Sequence, residues 1–349
     1  MSLMKAFDSL ISKSNAILII ASRPLDFDSL GSGLILKKYL ESLGKKVKLV
    51  YPETLTGYSR EVYGFLPFFK EIIFGDSREI LKHPDGLLIL LDGTSLVQFY
   101  DAFQDPSNPP DFKIWPERLR IDHHLQKPEK LETRLIRDPQ ASSTTEIILH
   151  RIIPPGFINQ QIATIGYAAL AGDTGNFCWN FTASTLKLAS VLVAKDADKL
   201  TIINRLFYFK SANYFKLVKL VIDNVEFDPK LKTVFLTIPY RKLKTWNLSE
   251  EDYREMRLTF LEELGRKVRG FDRYVALLEK DPGHIHVSAR GNNLNNKINL
   301  PKMFMEVGGN GGGHFNALGF EVEGNLGEVK ARVKKLIGEY LLPKPQSLR

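Results

Sequence analysis

The stretch Leu119-Arg120-Ile121-Asp122-His123-His124 decides the reading of this chain. Its first residues have the pattern of a strand, and a carboxylate with two imidazoles stands at the strand's end. Other carboxylates occupy similar places. Asp26 and Asp28 follow the run Ala16-Ile17-Leu18-Ile19-Ile20-Ala21, and Asp92 ends the run Leu87-Leu88-Ile89-Leu90-Leu91. Asp173 sits in Ala171-Gly172-Asp173-Thr174-Gly175. An aspartate at a strand end is by itself usually a helix cap or a turn residue. Agreement among five segments is a stronger signal. Hard oxygen donors with one or two imidazoles suit a hydrolytic two-metal centre, which points to a metal-dependent phosphoesterase.

Working outward, residues 16–175 alternate short apolar runs with helical patterns, the mark of a parallel sheet wound with helices. The predicted strands are 17–21, 47–51, 87–91 and 119–121, with a helix over 30–43 ended by Gly44 in a left-handed cap. Ligands collect beyond the carboxyl ends of strands in such sheets, where Asp26, Asp28, Asp92 and Asp122-His123 fall. The segment 101–116, with four prolines, reads as a loop. Ser143-Thr-Thr-Glu146 reads as a capping box opening a helix over 147–152, with further helices over 162–171 and 186–194.

The fold class is therefore α/β: a parallel-sheet domain with helices on both faces, and a smaller α/β domain with a mixed sheet. The expected bounds are 1–195 for the first domain, 196–214 for a helical linker and 215–345 for the second. In the second, strands are expected over 233–238, 274–279 and 284–289, a long helix over 249–269, and a last helix over 326–340.

The chain has 349 residues, enough for about two domains, with 48 Lys and Arg against 40 Asp and Glu. The net charge of +8 leans towards an anionic partner and is equally common in proteins without one. Cys178 is the sole cysteine, so no intrachain disulfide forms. The apolar runs fall far short of the roughly 20 residues that span a bilayer, and residues 1–15 lack a signal-peptide core. A cytoplasmic protein with no membrane partner is expected.

At the site, Asp26 and Asp28 are placed to face neighbouring ions, Asp92 to bridge them and Asp173 to complete the set. His123 is expected to bind through one ring nitrogen, with Asp122 supporting it. In the second half His284, His286, Ser288 and Arg290 share one strand face. That face is either solvated or, at Arg290, able to grip a phosphate. Gly311, Gly312 and Gly313 with His314 read either as a flexible loop or as backbone amides that approach an anion.

Asp26-x-Asp28-x-x-Gly31-Ser32, Asp92, Asp122-His123-His124 and Asp173-Thr174-Gly175 together resemble the four motifs of the DHH phosphoesterase superfamily. Asp138 to Glu146 resembles the segment after the third motif. Val287-Ser288-Ala289-Arg290 and Gly311 to Gly319 resemble the DHH-associated domain. Length and motif order resemble the nanoRNase and pAp phosphatase branch. The resemblance implies two manganese or magnesium ions in a cleft between two domains. Asp28, Asp92, His123 and Asp173 would hold one ion, and Asp26 with Asp92 the other. His124, beside Asp122, would contact the scissile phosphate. Arg290, the glycine segment and His314 would hold the far end of the nucleotide. Substrates would be short RNA or DNA oligonucleotides or pAp-like nucleotides, and a homodimer is left open.

One position departs from the family. Ser22 stands four residues before Asp26, where the family has a histidine. A hydroxyl is a poor substitute for imidazole, so the first metal site is expected to be weakened. The competing readings are a catalytically impaired nucleotide-binding or sensing protein, a cyclic- or linear-dinucleotide phosphodiesterase, and a RecJ-type single-strand exonuclease. The last would need a basic groove with stacked aromatics.

Overall fold

The computed structural model describes residues 3–75, 77–82, 84–101, 108–125, 128–130, 134–292, 300, 304, 307, 310–314 and 317–341. The chain divides into two compact units, Met1–Phe209 and Lys210–Arg349. Among the described residues no helix is long and apolar enough to cross a membrane.

The first unit is built on six parallel strands: β1 (Ala16–Ala21), β2 (Lys46–Tyr51), β3 (Ile73–Phe74), β4 (Leu87–Leu91), β5 (Glu117–Asp122) and β6 (Arg134–Arg137). Their order is β3-β2-β1-β4-β5-β6. The apolar runs of β1, from Ile17 on, and of β4 are buried because helices cover both faces of the sheet. The order reverses between β1 and β4, and a ligand crevice opens beyond the strand ends at such a switch point. Asp26 and Asp28 follow β1, Asp92 follows β4, Asp122 ends β5, and His123 and His124 follow it.

The helices of this unit are α1 (Leu3–Lys13), α2 (Phe27–Ser42), α3 (Gly57–Tyr63), α4 (Arg78–Leu81), α5 (Thr144–Arg151), α6 (Gln160–Thr174), α7 (Ala183–Ala194) and α8 (Lys199–Ile203). Helix α2 ends as its sequence requires: Gly44 has φ +78°, and its amide donates to the Glu41 carbonyl. Helices α2 and α6 pack closely. A Cβ on Gly31 would lie 2.8 Å from the Ala169 Cβ, and one on Gly172 would lie 2.9 Å from the Phe27 Cβ. That close approach brings the start of α2 against the end of α6.

Four expectations shift. Asp173 does not follow a strand; it rides on the last turn of α6. Helix α5 begins at Thr144, three residues before the predicted start. Ser143 caps it, but Glu146 does not close the box, because its carboxylate accepts from the amide and hydroxyl of Ser142. Strands β3 and β6 escaped the sequence reading, being two and four residues long with little periodicity. The predicted linker is two helical pieces, α8 running on through a wider turn at Asn204–Tyr208, and the units divide just after it.

The second unit holds a mixed sheet of β7 (Val225–Asp228), β8 (Thr233–Ile238), β9 (Arg273–Asp281), β10 (His284–Gly291), β11 (Asn310–His314) and β12 (Ala317–Glu323). Its order is β11-β12-β10-β9-β8-β7, with β8 and β9 parallel and the other pairs antiparallel. Helices α9 (Tyr214–Ile222), α10 (Tyr240–Trp246), α11 (Glu250–Leu258) and a terminal helix Leu326–Leu341 complete it. The predicted 249–269 helix is real, capped by Ser249, but widens after Leu258 and tightens at Gly265–Lys267. Gly311 to His314 form an edge strand paired with β12 rather than a loop.

Candidate metal centre

Each acidic group is positioned by a local rule. Asp26 caps α2, accepting from the Ser29 amide at 2.7 Å. Asp28 lies in the first turn of α2, fully buried, and points at the start of α5. Its two oxygens accept from the backbone amides of Thr144, at 2.6 Å, and Thr145, at 2.8 Å. These are among the unpaired amides every helix start leaves, and they favour a negative charge. Asp92 has φ +62°, a left-handed conformation that turns the chain sharply out of β4. Its carbonyl accepts from the Ser22 hydroxyl, and its Oδ1 accepts from the Thr144 hydroxyl at 2.9 Å.

The imidazoles are oriented differently from the expectation. The His123 Nδ1 lies 3.4 Å from the Ala141 carbonyl, which makes Nδ1 the donor and Nε2 the ring's acceptor. Nε2 is 3.3 Å from Asp173 Oδ2 and 3.6 Å from Asp92 Oδ1. Asp122 supports His124, not His123: its Oδ1 is 2.6 Å from His124 Nδ1 and accepts from the His124 amide. The reason is local geometry. The backbone turns directly after Asp122, so the carboxylate reaches the second ring and its amide. Arg137 secures the same turn by donating to the carbonyls of His124 and Leu125.

Among the described residues, two sets of donor atoms lie within 4.8 Å of one another: Asp92, His123 and His124, and Asp28, His123 and Asp173. Asp26 is in neither set. It stands near enough that its charge raises the pKa of Asp92 and of Asp173. Burial, and then the neighbouring carboxylates, push Asp92 and Asp173 well above the usual carboxylate range. Burial also raises Asp26 and Asp28, against the pull of their hydrogen bonds. His123 is driven down to about 4, first by burial and then by His124, so it is neutral at pH 7. Burial would raise Asp122 too, but the hydrogen bond and charge of His124 outweigh it and hold it low. Four crowded carboxylates beside a neutral, correctly turned imidazole make a donor set for a hard divalent cation. Burying such charge without a cation is costly.

Ser22 is buried at the end of β1, its hydroxyl committed to the Asp92 carbonyl. Arg23 pairs with Asp101 at 3.5 Å. In the second unit Arg290 pairs with Glu262 at 2.6 Å, and Ser288 accepts from Arg257. His286 lies between Glu321 and Ser288, so only His284 keeps the exposed character expected of that face. The side chain of His314 lies outside the described residues; its backbone and those of Gly311, Gly312 and Gly313 are in β11.

The sequence reading missed the roles of Thr144, Thr145 and Ala141. Their segment, Asp138 to Glu146, offers only its resemblance and its capping pattern to a reader of the sequence. The missing signal was backbone: two amides and one carbonyl, which no side-chain pattern reveals.

Residues 246–340 match the DHHA1 domain model. The chain is 28% identical over 258 residues to a probable bifunctional oligoribonuclease and PAP phosphatase NrnA of Streptococcus mutans, covering 71% of this chain and 75% of that protein. It is 23% identical over 355 residues to the cyclic-di-AMP phosphodiesterase GdpP of Bacillus subtilis, covering 96% of this chain but only 49% of the relative. An exopolyphosphatase-related protein from Bacteroides fragilis shares the fold, with a TM-score of 0.81 at 22% identity over 97% of this chain and 96% of that one. Residues 246–340 thus match a DHH-associated domain, and the chain is similar to phosphodiesterases and phosphatases of the DHH superfamily. Within the superfamily it is similar to the NrnA branch.

Proposed function

We propose that this protein hydrolyses short oligonucleotides, dinucleotides included, or the 3′-phosphate of pAp-like nucleotides, with divalent cations held by Asp28, Asp92, His123 and Asp173. The observation that carries this is the meeting of Asp28, Asp92, His123 and Asp173 around shared space, with carboxyl groups whose crowding calls for a cation. The NrnA-like relative, described as an oligoribonuclease and PAP phosphatase, supports the substrate class. Manganese or magnesium fits the donor set, and bound there it would supply positive charge and a nucleophile at neutral pH.

The residues of the chain do the rest. Thr144 and Thr145 hold the Asp28 carboxylate through their amides. Thr144 holds Asp92 through its hydroxyl. The Ala141 carbonyl fixes the His123 tautomer. Asp122 orients His124 towards the same space, where its ring can meet the phosphate. Asp122→Asn is therefore expected to lower turnover by roughly 10–100-fold while the metal-free melting temperature holds. An unchanged rate would remove Asp122 from this role.

A cyclic-dinucleotide phosphodiesterase is the second reading, favoured by the similarity to GdpP. The two separate in a metal-by-substrate activity screen using pAp, linear dinucleotides, cyclic dinucleotides and an oligonucleotide length series. The first reading predicts highest activity on pAp or the shortest linear substrates, with none in chelator. Activity rising with length, or confined to cyclic substrates, would overturn it. The screen also tests Ser22. Ser22→His is expected to raise manganese-dependent turnover, an imidazole there being a better ligand than the present hydroxyl. No gain, with tight dinucleotide binding and no product in either form, would instead point to a sensing protein.

A further inference from the structure

The chain does something unusual just after Asp173. Gly175, Asn176 and Phe177 have φ of +54°, +54° and +63°, so three consecutive residues are left-handed. Glycine and asparagine tolerate this conformation, but Phe177 carries a side chain that resists it, and such strain persists only where the surroundings enforce it. Here they do. The Asn176 amide donates to the Ala171 carbonyl, and the Phe177 amide donates to the Thr174 hydroxyl. The amides of Cys178 and Trp179 both donate to the Thr174 carbonyl, and the Phe177 ring packs edge-on to Tyr167 at 5.8 Å.

The product of this turn is the placement of one indole. A Cβ on Gly175 would lie 2.1 Å from two atoms of the Trp179 ring, so the indole lies directly over the Gly175 backbone. Gly175 is two residues from Asp173. The next residue after the indole, Asn180, donates to the Ser142 carbonyl at 3.4 Å, one residue from the Ala141 carbonyl that orients His123. The turn is therefore tied at both ends to residues bordering the candidate metal centre. Despite these ties, 37% of Trp179 is exposed, as is 42% of Phe181. A large aromatic near buried polar groups that keeps more than a third of its surface exposed is poor core packing and can serve as a recognition surface.

We propose that Trp179 is a stacking platform for a nucleobase of the substrate whose phosphate occupies the metal centre. This rests on the proposed function, in which the substrate is a nucleotide, and narrows it. Stacking tolerates any base, since every base presents a π-face. It also distinguishes a nucleotide from pyrophosphate or polyphosphate, which have nothing to stack.

Titrating the full-length protein in manganese with adenosine 5′-monophosphate tests the platform by intrinsic fluorescence, with ribose 5-phosphate as the base-free control. The chain has three tryptophans, and Trp115 is buried in the first unit. The nucleotide is expected to quench the wild type, the sugar phosphate to leave it unchanged, and Trp179→Phe to lose most of the quench. Trp179→Ala is expected to raise KM for a dinucleotide about tenfold with kcat changed less than about twofold. Trp179→Phe, which keeps a ring, should restore most of the affinity. A quench that survives in Trp179→Phe, equal quenching by ribose 5-phosphate, or an unchanged KM in Trp179→Ala would each overturn the platform. A wild type that releases no mononucleotide yet shows a Trp179-dependent quench would end the hydrolytic reading while the platform stands.

Discussion

Asp92→Asn is expected to cut metal-dependent release of mononucleotides from a dinucleotide by roughly a thousandfold or more, without unfolding the metal-free protein. The choice of asparagine comes from the backbone. Asp92 has φ +62°, a conformation asparagine tolerates far better than alanine does. The amide oxygen can still accept from the Thr144 hydroxyl. What is lost is one negative charge in a group where burial and neighbouring carboxylates already disfavour charge. The metal-free variant should therefore melt at or above the wild-type temperature. Manganese should then raise the wild-type melting temperature clearly and the variant's much less, since a ligand that binds only the folded state stabilises it in proportion to its affinity. Calorimetric melting with and without manganese, beside a product assay, checks both halves. Unchanged turnover would remove Asp92 from the chemistry, and an equal manganese shift would remove it from metal binding.

Asp28→Ala should behave differently: activity is lost and stability falls as well. The Asp28 carboxylate is the acceptor for two buried amides at the start of α5. Leaving a buried amide unpaired costs about 1–3 kcal/mol, and removing a crowded buried charge offsets part of that. A net loss of about 2 kcal/mol is expected, or roughly 4–8 °C in the melting temperature of a unit this size. Asp28→Asn, which keeps one acceptor oxygen, should recover part of the stability and none of the activity. Thermal melting in chelator distinguishes the two variants. If Asp28→Ala melts with the wild type, the tie between α2 and α5 is not what holds Asp28 in place.

The contrast between these two aspartates marks how far the sequence could be read. Both were legible as candidate ligands, because each comes after an apolar run, and parallel strands deliver the residues at their carboxyl ends to one edge of the sheet. Their second roles were not legible. Asp28 meets Thr144 and Thr145 across more than a hundred residues of chain, and their contribution is main-chain amides. Asp122 was assigned to the neighbouring His123, yet its carboxylate serves His124, because the direction of a turn depends on backbone dihedrals. Asp173 was counted with the strand ends although it belongs to α6. It reaches His123 because Gly31 and Gly172 let α2 and α6 approach closely. The glycine-rich segment read as a loop, since glycine has low strand propensity, but pairing with β12 overrides that preference.

The sequence by itself determined the α/β class, the parallel run of the principal strands, and the residue types at their carboxyl ends. Hydrophobic periodicity and chain direction are local properties, and they suffice for that much. Only the tertiary structure decided which oxygen faces which nitrogen, which tautomer His123 adopts, and that Trp179 lies over Gly175, two residues from Asp173. Those outcomes depend on close packing between distant segments and on buried backbone groups seeking partners, neither of which leaves a mark in residue order.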